Sequence, residues 1–308
     1  MQTKHQNKVV PEDFIMPEQL PNTFEEAKKW QDANRSFWES HPMRYDWKES
    51  IGYDEYTEAF YKEIDKRFFS NVYEYMPWKS IPFDALIDFD NLKDKKVLEI
   101  GVGNGSHAQL LASTAGSYTG IDLTSYAVQS TSERLRLLNM QSEVLQMDAE
   151  KMSFEDSTFD LIWSWGVIHH SSNTRQILQE IYRILKPGCE AIIMVYHRGF
   201  WNYYICGGLI RGILLGDIFR TRSLSKTVQR HTDGALARYY TPDSWRELIE
   251  SLGFKIDYIT IKGSKAELFP IPGGRNKSRL MSLVPNAITR FLTNQCHMGS
   301  FLISKIVK

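Results

Sequence analysis

The chain has 308 residues, 42% of them apolar, enough to bury a sizeable core without disulfides or metals. Lys+Arg and Asp+Glu are equal at 37 each, so overall charge gives no pull toward nucleic acid or an anionic membrane. Cys189, Cys206 and Cys296 are few and widely spaced, which argues against a zinc motif or a disulfide framework; with no signal-peptide pattern in MQTKHQNKVVPEDF, the expected compartment is the cytosol.

In chain order, residues 1–94 read as a helical extension. TFEEAKKWQDANRSFW (23–38) opens with a capping-box pattern, Thr23 followed by Glu26. DEYTEAFYKEIDKRFFSNVYEYM (54–76) sets Tyr56, Phe60, Ile64, Phe68 and Val72 at four-residue steps, an apolar stripe on one helix face. Between them, FWESHPMRYDW (37–47) is dense in aromatics and fits either a self-packed loop or a lid over a pocket.

From residue 95 short apolar runs alternate with helical patterns, the texture of a parallel sheet with crossover helices. Strands are expected at 96–100, 117–121, 142–146, 159–163 and 191–196, with helices at 106–113, 125–138 and 174–185. Leu185-Lys186-Pro187-Gly188 reads as a tight turn. An insertion at 198–240 interrupts the rhythm. A helix then resumes at 241–254, with Thr241 as N-cap, Pro242 in the first turn and Gly253 at the end. Strands at 255–261 and 299–307 close the core around a second insertion at 264–297.

The first strand runs into Glu99-Ile100-Gly101-Val102-Gly103-Asn104-Gly105, a strand, three alternating glycines and a helix start. Such a turn lets a ligand approach backbone N–H groups at a sheet's switch point. Asp122 ends the second strand, where a carboxylate can accept both hydroxyls of a ribose. Asp148 follows the third strand, in reach of an exocyclic amine. A dinucleotide fingerprint needs glycine at 106, where this chain has Ser106, and Glu99 beside the loop would repel a pyrophosphate. These residues favour a phosphate-free adenosyl ligand with an amino-acid tail.

VLEIGVGNGSHAQLL, TGIDLT, QMDAEKMSFEDSTFDLIWSWGVIHH and ILQEIYRILKPGCEAIIMVYH, over about 95–197, resemble the class I S-adenosylmethionine-dependent methyltransferases of the methyltransferase-11 type. TDGALARYYTPDSWRELIESLGF resembles a subgroup with a helical N-terminal extension. The resemblance implies a Rossmann-like, doubly wound α/β fold, a seven-stranded mostly parallel sheet whose last strand is antiparallel, with a helical N-terminal cap. It implies S-adenosylmethionine as the cofactor and methyl transfer to an acceptor. On it, Gly101, Gly103 and Gly105 line the methionine and ribose, and Glu99 faces the amino group. Asp122 holds the ribose, with Leu123 on the adenine face. Asp148 and the backbone of Ala149 meet the adenine edge, and Ser164 sits near the methionyl tail.

On the acceptor side, His169 and His170 follow the fourth strand and are the candidate general bases; structural hydrogen bonding is the alternative for either. Tyr196 and His197 close the fifth strand at the same edge. No metal is expected. The insertion at 199–220, with Arg220, Arg222, Lys226 and Arg230 in or after it, fits a lid helix over a hydrophobic acceptor or a peripheral membrane contact through 199–230. The second insertion reads as a basic loop around Pro270, Pro272, Gly273, Gly274 and Arg275. The sequence thus points to methyl transfer to a small molecule, partly apolar or lipid-linked, with no nucleic-acid partner. A non-catalytic cofactor-binding module and a nicotinamide-dependent oxidoreductase on a similar fold are the rivals. The acceptor and the oligomeric state are not written in the sequence.

Overall fold

The computed structural model describes residues 10–308 except 12, 15, 17, 18, 47, 48, 272 and 273, and leaves aside the side chain of residue 278. Parts of the 1–14 tract, the end of the 37–47 stretch, and Pro272 and Gly273 therefore lie outside the described residues. Strands are numbered in chain order: β1 Lys96–Ile100, β2 Ser117–Asp122, β3 Glu143–Gln146, β4 Phe159–Trp165, β5 Leu185–His197, β6 Tyr239–Tyr240, β7 Lys255–Lys262 and β8 Phe301–Val307. They form one sheet in the order β3-β2-β1-β4-β5-β8-β7, parallel except for β8, which runs antiparallel to both neighbours. The expected seven-stranded plan holds. The two-residue β6 is an addition, paired parallel with Tyr196 and His197 at the end of β5.

Side chains alternate across the strands, so consecutive residues feed opposite layers. Val97, Leu161, Trp163, Ile192, Met194 and Ile303 pack on one face beneath α2 (Glu58–Tyr75) and α3 (Ala108–Ala112). Leu98, Ile100, Ile162, Ile193, Leu302 and Ile306 pack on the other beneath α5 (Thr174–Ile184) and α8 (Pro242–Glu250). Helix α5 offers Ile177, Leu178, Ile181 and Ile184, an i, i+1, i+4, i+7 stripe. Burying each such side chain stabilises by about 1.5–3 kcal/mol before entropy is counted. The helical extension supplies α1 (Phe24–Ser40) and α2; α4 (Ser125–Leu137) follows β2.

Several local expectations shift. Thr23 caps α1 by accepting from the Glu26 amide, but the Glu26 carboxylate returns to the Asn22 amide rather than to Thr23, so the box is open. Tyr56 lies before α2, at φ 65°, because Thr57 takes the N-cap and starts the helix at Glu58. The 185–188 turn is a bulge inside β5: Phe159 pairs with Leu185 and Leu161 with Glu190, so Lys186–Cys189 loop out and Pro187 needs no ladder hydrogen bond.

The insertions also differ. Residues Phe200–Leu214 form a π-helix, followed by α6 (Asp217–Thr221) and α7 (Leu224–Arg230). Gly207 and Gly208 are what let α7 close on it: a Cβ on Gly207 would stand 2.7 Å from Val228, and one on Gly208 3.0 Å from Leu224. The second insertion is largely helical rather than a loop, with α9 (Arg275–Leu283), α10 (Asn286–Arg290) and a π-turn at Phe291–Gln295. Its proline–glycine cluster punctuates only the start, and Thr289 and Thr293 are buried by the helices that follow.

Candidate functional site

The three glycines after β1 serve three different contacts. At Gly101 (φ 84°) a Cβ would collide with Val167, 2.1 Å away, so the turn after β4 rests on this position. At Gly105 it would press on Arg134 and Thr131 of α4. At Gly103 it would meet nothing within 4 Å, because this residue faces the open cavity.

The loop is held from outside by Arg134, which is 2% exposed. Its guanidinium donates to the Asn104 carbonyl at 2.8 Å and to the Ser106 hydroxyl at 3.3 Å, and pairs with Asp65 of α2. Asp65 in turn accepts from Ser106 and Gln109, at 2.7 and 2.8 Å. The N-terminal extension and the glycine loop therefore share one buried charge network.

A cavity of about 760 Å³ opens over the carboxyl ends of β1, β2 and β4, the place where open α/β sheets bind ligands. Gly101, Gly103, Asp122, Leu123, Asp148 and Ala149 are on its wall. One Asp122 oxygen accepts from the Thr124 amide and hydroxyl at 2.9 and 2.8 Å, and the other accepts a longer bond, 3.3 Å, from the Gly103 amide. Burial raises its carboxyl above the usual range, with these bonds opposing. Asp148 accepts from Gln31 of α1 at 2.8 Å and from the Glu150 amide at 2.9 Å.

Glu99, Gly105 and Ser164 do not belong to the described wall. The Glu99 carboxyl is buried and accepts the Tyr118 hydroxyl at 2.7 Å; desolvation pushes it up to about 8. The Ser164 hydroxyl donates to the Ile100 carbonyl at 3.3 Å and braces β1 against β4.

Helix α1 and the stretch after it roof the cavity through Gln31, Asn34, Trp38, Met43 and Tyr45. The roof is fastened at four polar points. Besides the Gln31–Asp148 bond, Asn34 donates to the His170 carbonyl and Asn104 to the Met43 carbonyl. Glu39 accepts from the amides of Ser125 and Tyr126 at 2.9 and 3.0 Å, so a carboxylate of α1 caps the N-terminus of α4. Sequence reasoning named the aromatic stretch but missed Gln31, Asn34 and Glu39. Gln31 and Asn34 carried a signal: two amides one helical turn apart, inside a stripe of Trp30, Phe37 and Trp38, are misplaced unless they meet partners.

Much of the remaining wall is aromatic or apolar, with Phe68 and Tyr75 of α2, Trp165, Met194, Tyr196 and Phe301. Its cations, Arg67 and Lys277, come from α2 and α9 rather than from the strand ends. The end that would receive a nucleotide thus offers carboxylates and glycine N–H groups, suited to ribose and adenine and unsuited to a diphosphate.

The two histidines differ. His170 is on the wall, and its Nδ1 lies 2.8 Å from the Leu236 carbonyl. A carbonyl only accepts, so Nδ1 carries the proton and the lone pair of the neutral ring is at Nε2. His169 is fully buried behind it, its ring centroid 3.9 Å from that of Tyr196 and tilted 41° to it, with neither ring nitrogen hydrogen-bonded. Desolvation holds it well below the ordinary imidazole range and therefore neutral. His197 is occupied structurally, its Nδ1 2.8 Å from the Gly299 carbonyl. A further imidazole that sequence reasoning passed over, His107, is on the wall beside the glycine loop, boxed by Phe68, Phe83, Trp163 and Trp165 and pushed down to about 3 by burial.

The segment Thr232–Tyr240 completes this wall. The Arg238 guanidinium, 1% exposed, donates to the carbonyls of Ser171 and Ser172 after β4 and of Gln19 in the extension. Asp233 of the same segment lines the cavity.

Residues 98–193 match the family described as a methyltransferase domain, a span that contains the glycine loop, Asp122, Asp148 and both histidines. The chain is 34% identical over 100 residues to a phthiotriol/phenolphthiotriol dimycocerosates methyltransferase of Mycobacterium tuberculosis, covering 32% of this chain and 36% of the relative. It is 35% identical over 106 residues to phosphoethanolamine N-methyltransferase 2 of Caenorhabditis elegans, covering 34% of this chain and 24% of that one. The chain thus spans only about a third of the length of the curated relatives it matches. Among solved structures it is similar to a putative methyltransferase from Bacillus halodurans at 18% identity and a TM-score of 0.49, covering 73% of this chain and 98% of that one. Residues 98–193 thus match a methyltransferase domain, and the glycine turn and the two strand-end carboxylates within them are those on which the resemblance to the class I S-adenosylmethionine-dependent methyltransferases rests.

Proposed function

We propose that this protein transfers the methyl group of S-adenosylmethionine to a small, partly apolar acceptor, in the cytosol. The observation that carries the proposal is one continuous cavity joining Asp122 and Asp148 at the strand ends to the aromatic wall of Phe68, Tyr75, Trp165, Tyr196 and Phe301. The relatives named for dimycocerosate lipids and for phosphoethanolamine support a non-macromolecular acceptor.

In this reading Asp122, steadied by the Gly103 amide, accepts the ribose hydroxyls, and Asp148 the adenine amine. Glu99 is one layer behind, where a bound ammonium would favour its ionised form. The helical extension within 1–94 acts as a lid that excludes water. The cofactor supplies a methyl already activated by a sulfonium charge, so the protein's task is alignment in a dry site. When bound, the cofactor would give its methyl to the acceptor's lone pair and leave as S-adenosylhomocysteine, and His170 Nε2 would take the acceptor's proton. His169 keeps the ring of His170 in place.

The test is incubation with methyl-labelled S-adenosylmethionine and a cell extract. Label is expected in small, organic-soluble products, matched by released S-adenosylhomocysteine. His170→Ala is expected to keep donor affinity and slow turnover by about 10²-fold or more. Unchanged turnover in the folded variant removes the base assignment, and no release above background makes the protein a cofactor-binding module. A second reading, contact of 199–230 with a membrane, is favoured by the exposure of Phe200, Leu214, Leu215 and Phe219. No helix among the described residues is long and apolar enough to cross a membrane.

A further inference from the structure

The chain is neutral as a whole, but its charge is not evenly placed. Insertions 198–240 and 264–297 hold 12 basic and 3 acidic residues, a net +9 that the rest of the chain must offset. The same quarter of the chain holds 12 of the 18 exposed large hydrophobic residues described, including Phe200, Leu214, Leu215 and Phe219 in the first insertion and Leu283 and Phe291 in the second. Leu215 and Phe219 are more than 70% exposed. Water-facing apolar side chains at this density mark a surface that meets something apolar.

The two insertions are tied to each other. The Trp201 indole donates to the Glu267 carbonyl at 2.9 Å, and Asn202 donates to the Glu267 carboxylate at 3.1 Å and to the Met298 carbonyl at 2.6 Å. Glu267 is buried and also accepts from the Ser264 and Ser300 amides, at 2.8 Å each, so the joint is anchored on the sheet's closing strands. Arg211, Arg220, Arg222, Arg230, Arg275 and Arg279 are exposed and form no ion pair among the described residues. Helix α9 joins this surface to the cavity: Lys277 and Met281 are on the cavity wall, while Leu280 and Leu283 face water.

We propose that the two insertions together form a docking surface for an anionic lipid bilayer, and that the cavity takes its acceptor from that bilayer. Unpaired guanidiniums interleaved with exposed Leu, Ile and Phe complement an anionic headgroup layer over acyl chains, the pattern of interfacial rather than spanning attachment. A second copy docked through the same face would set positive charge against positive charge. The acceptor part of the inference rests on the methyltransferase reading; the lipid contact does not.

The experiment is flotation of the full chain with vesicles of phosphatidylcholine alone and of equimolar phosphatidylcholine and phosphatidylglycerol, with S-adenosylmethionine affinity measured in parallel. Expected is binding to the anionic vesicles only, weakened by salt. Leu215→Ser with Phe219→Ser, and separately Arg220→Gln with Arg279→Gln, should each reduce binding about tenfold or more while donor affinity is kept. Equal binding to both vesicles, or none in a folded protein that binds the donor, overturns the surface. So does self-association that Leu215→Ser with Phe219→Ser dissolves without any vesicle binding. Vesicle binding without donor binding leaves the surface standing and sinks the methyltransferase reading instead.

Discussion

Glu99 is a carboxyl enclosed by protein, where it accepts the Tyr118 hydroxyl, and burial pushes it up to about 8. The folded state therefore favours its protonated form over an ordinary value near 4.5. The stability linked to this proton is complete below the ordinary carboxyl range and is lost as pH rises through about 8. Glu99→Gln keeps an acceptor for Tyr118 and has no proton to lose. Melting temperatures of the ligand-free protein from pH 5 to 9 should fall less steeply in the variant than in the wild type. Parallel curves would mean that Glu99 is already ionised at pH 5.

At this scale the sequence showed Asp122 and Asp148 by position alone, since a carboxylate at a strand's end has few local tasks. It showed the glycines too, but not their packing partners: Gly101 makes room for Val167 as well as lying on the cavity wall, Gly105 makes room for α4, and Gly103 borders open space. These are contacts between residues far apart in the chain, which local spacing cannot encode. For the same reason the sequence did not show that the Glu99 carboxyl accepts from Tyr118 or that the Ser164 hydroxyl donates to the Ile100 carbonyl.

Between elements, the Arg134–Asp65 pair joins α4, α2 and the loop after β1. Arg134→Ala leaves Asp65 without its cation and the Asn104 carbonyl without its donor, so denaturant unfolding should show a loss of about 3–5 kcal/mol. Replacing both residues with apolar ones, Arg134→Met with Asp65→Leu, should recover a large share of that. A single-variant loss below about 1 kcal/mol would show that solvent already screens the pair. The strands were legible because buried parallel strands read as short apolar runs, and α5 because its apolar residues recur at helical spacing. A helix over 199–220 was legible as a lid, but its π form at 200–214 was not, since the wider turn matches no helical period near 3.6. The bulge at 186–189 looked like a turn because Pro and Gly serve both.

For the whole molecule, one sheet carries an adenosyl-type pocket at its carboxyl edge, a helical extension roofs it, and two insertions flank its far side. The order β3-β2-β1-β4-β5-β8-β7 was open to reading as a family plan, and it fixes where the pocket must be. What the insertions do was not, because their meaning lies in exposure and mutual contact rather than in any motif.

The most direct measurement is calorimetric titration of the purified protein with S-adenosylmethionine and with reduced nicotinamide cofactor, repeated on Asp122→Ala. Expected is binding of S-adenosylmethionine alone, weakened in the variant by about 1.5–3 kcal/mol through loss of charge-assisted ribose bonds. Affinity for the nicotinamide cofactor with none for S-adenosylmethionine would contradict the assignment of the pocket.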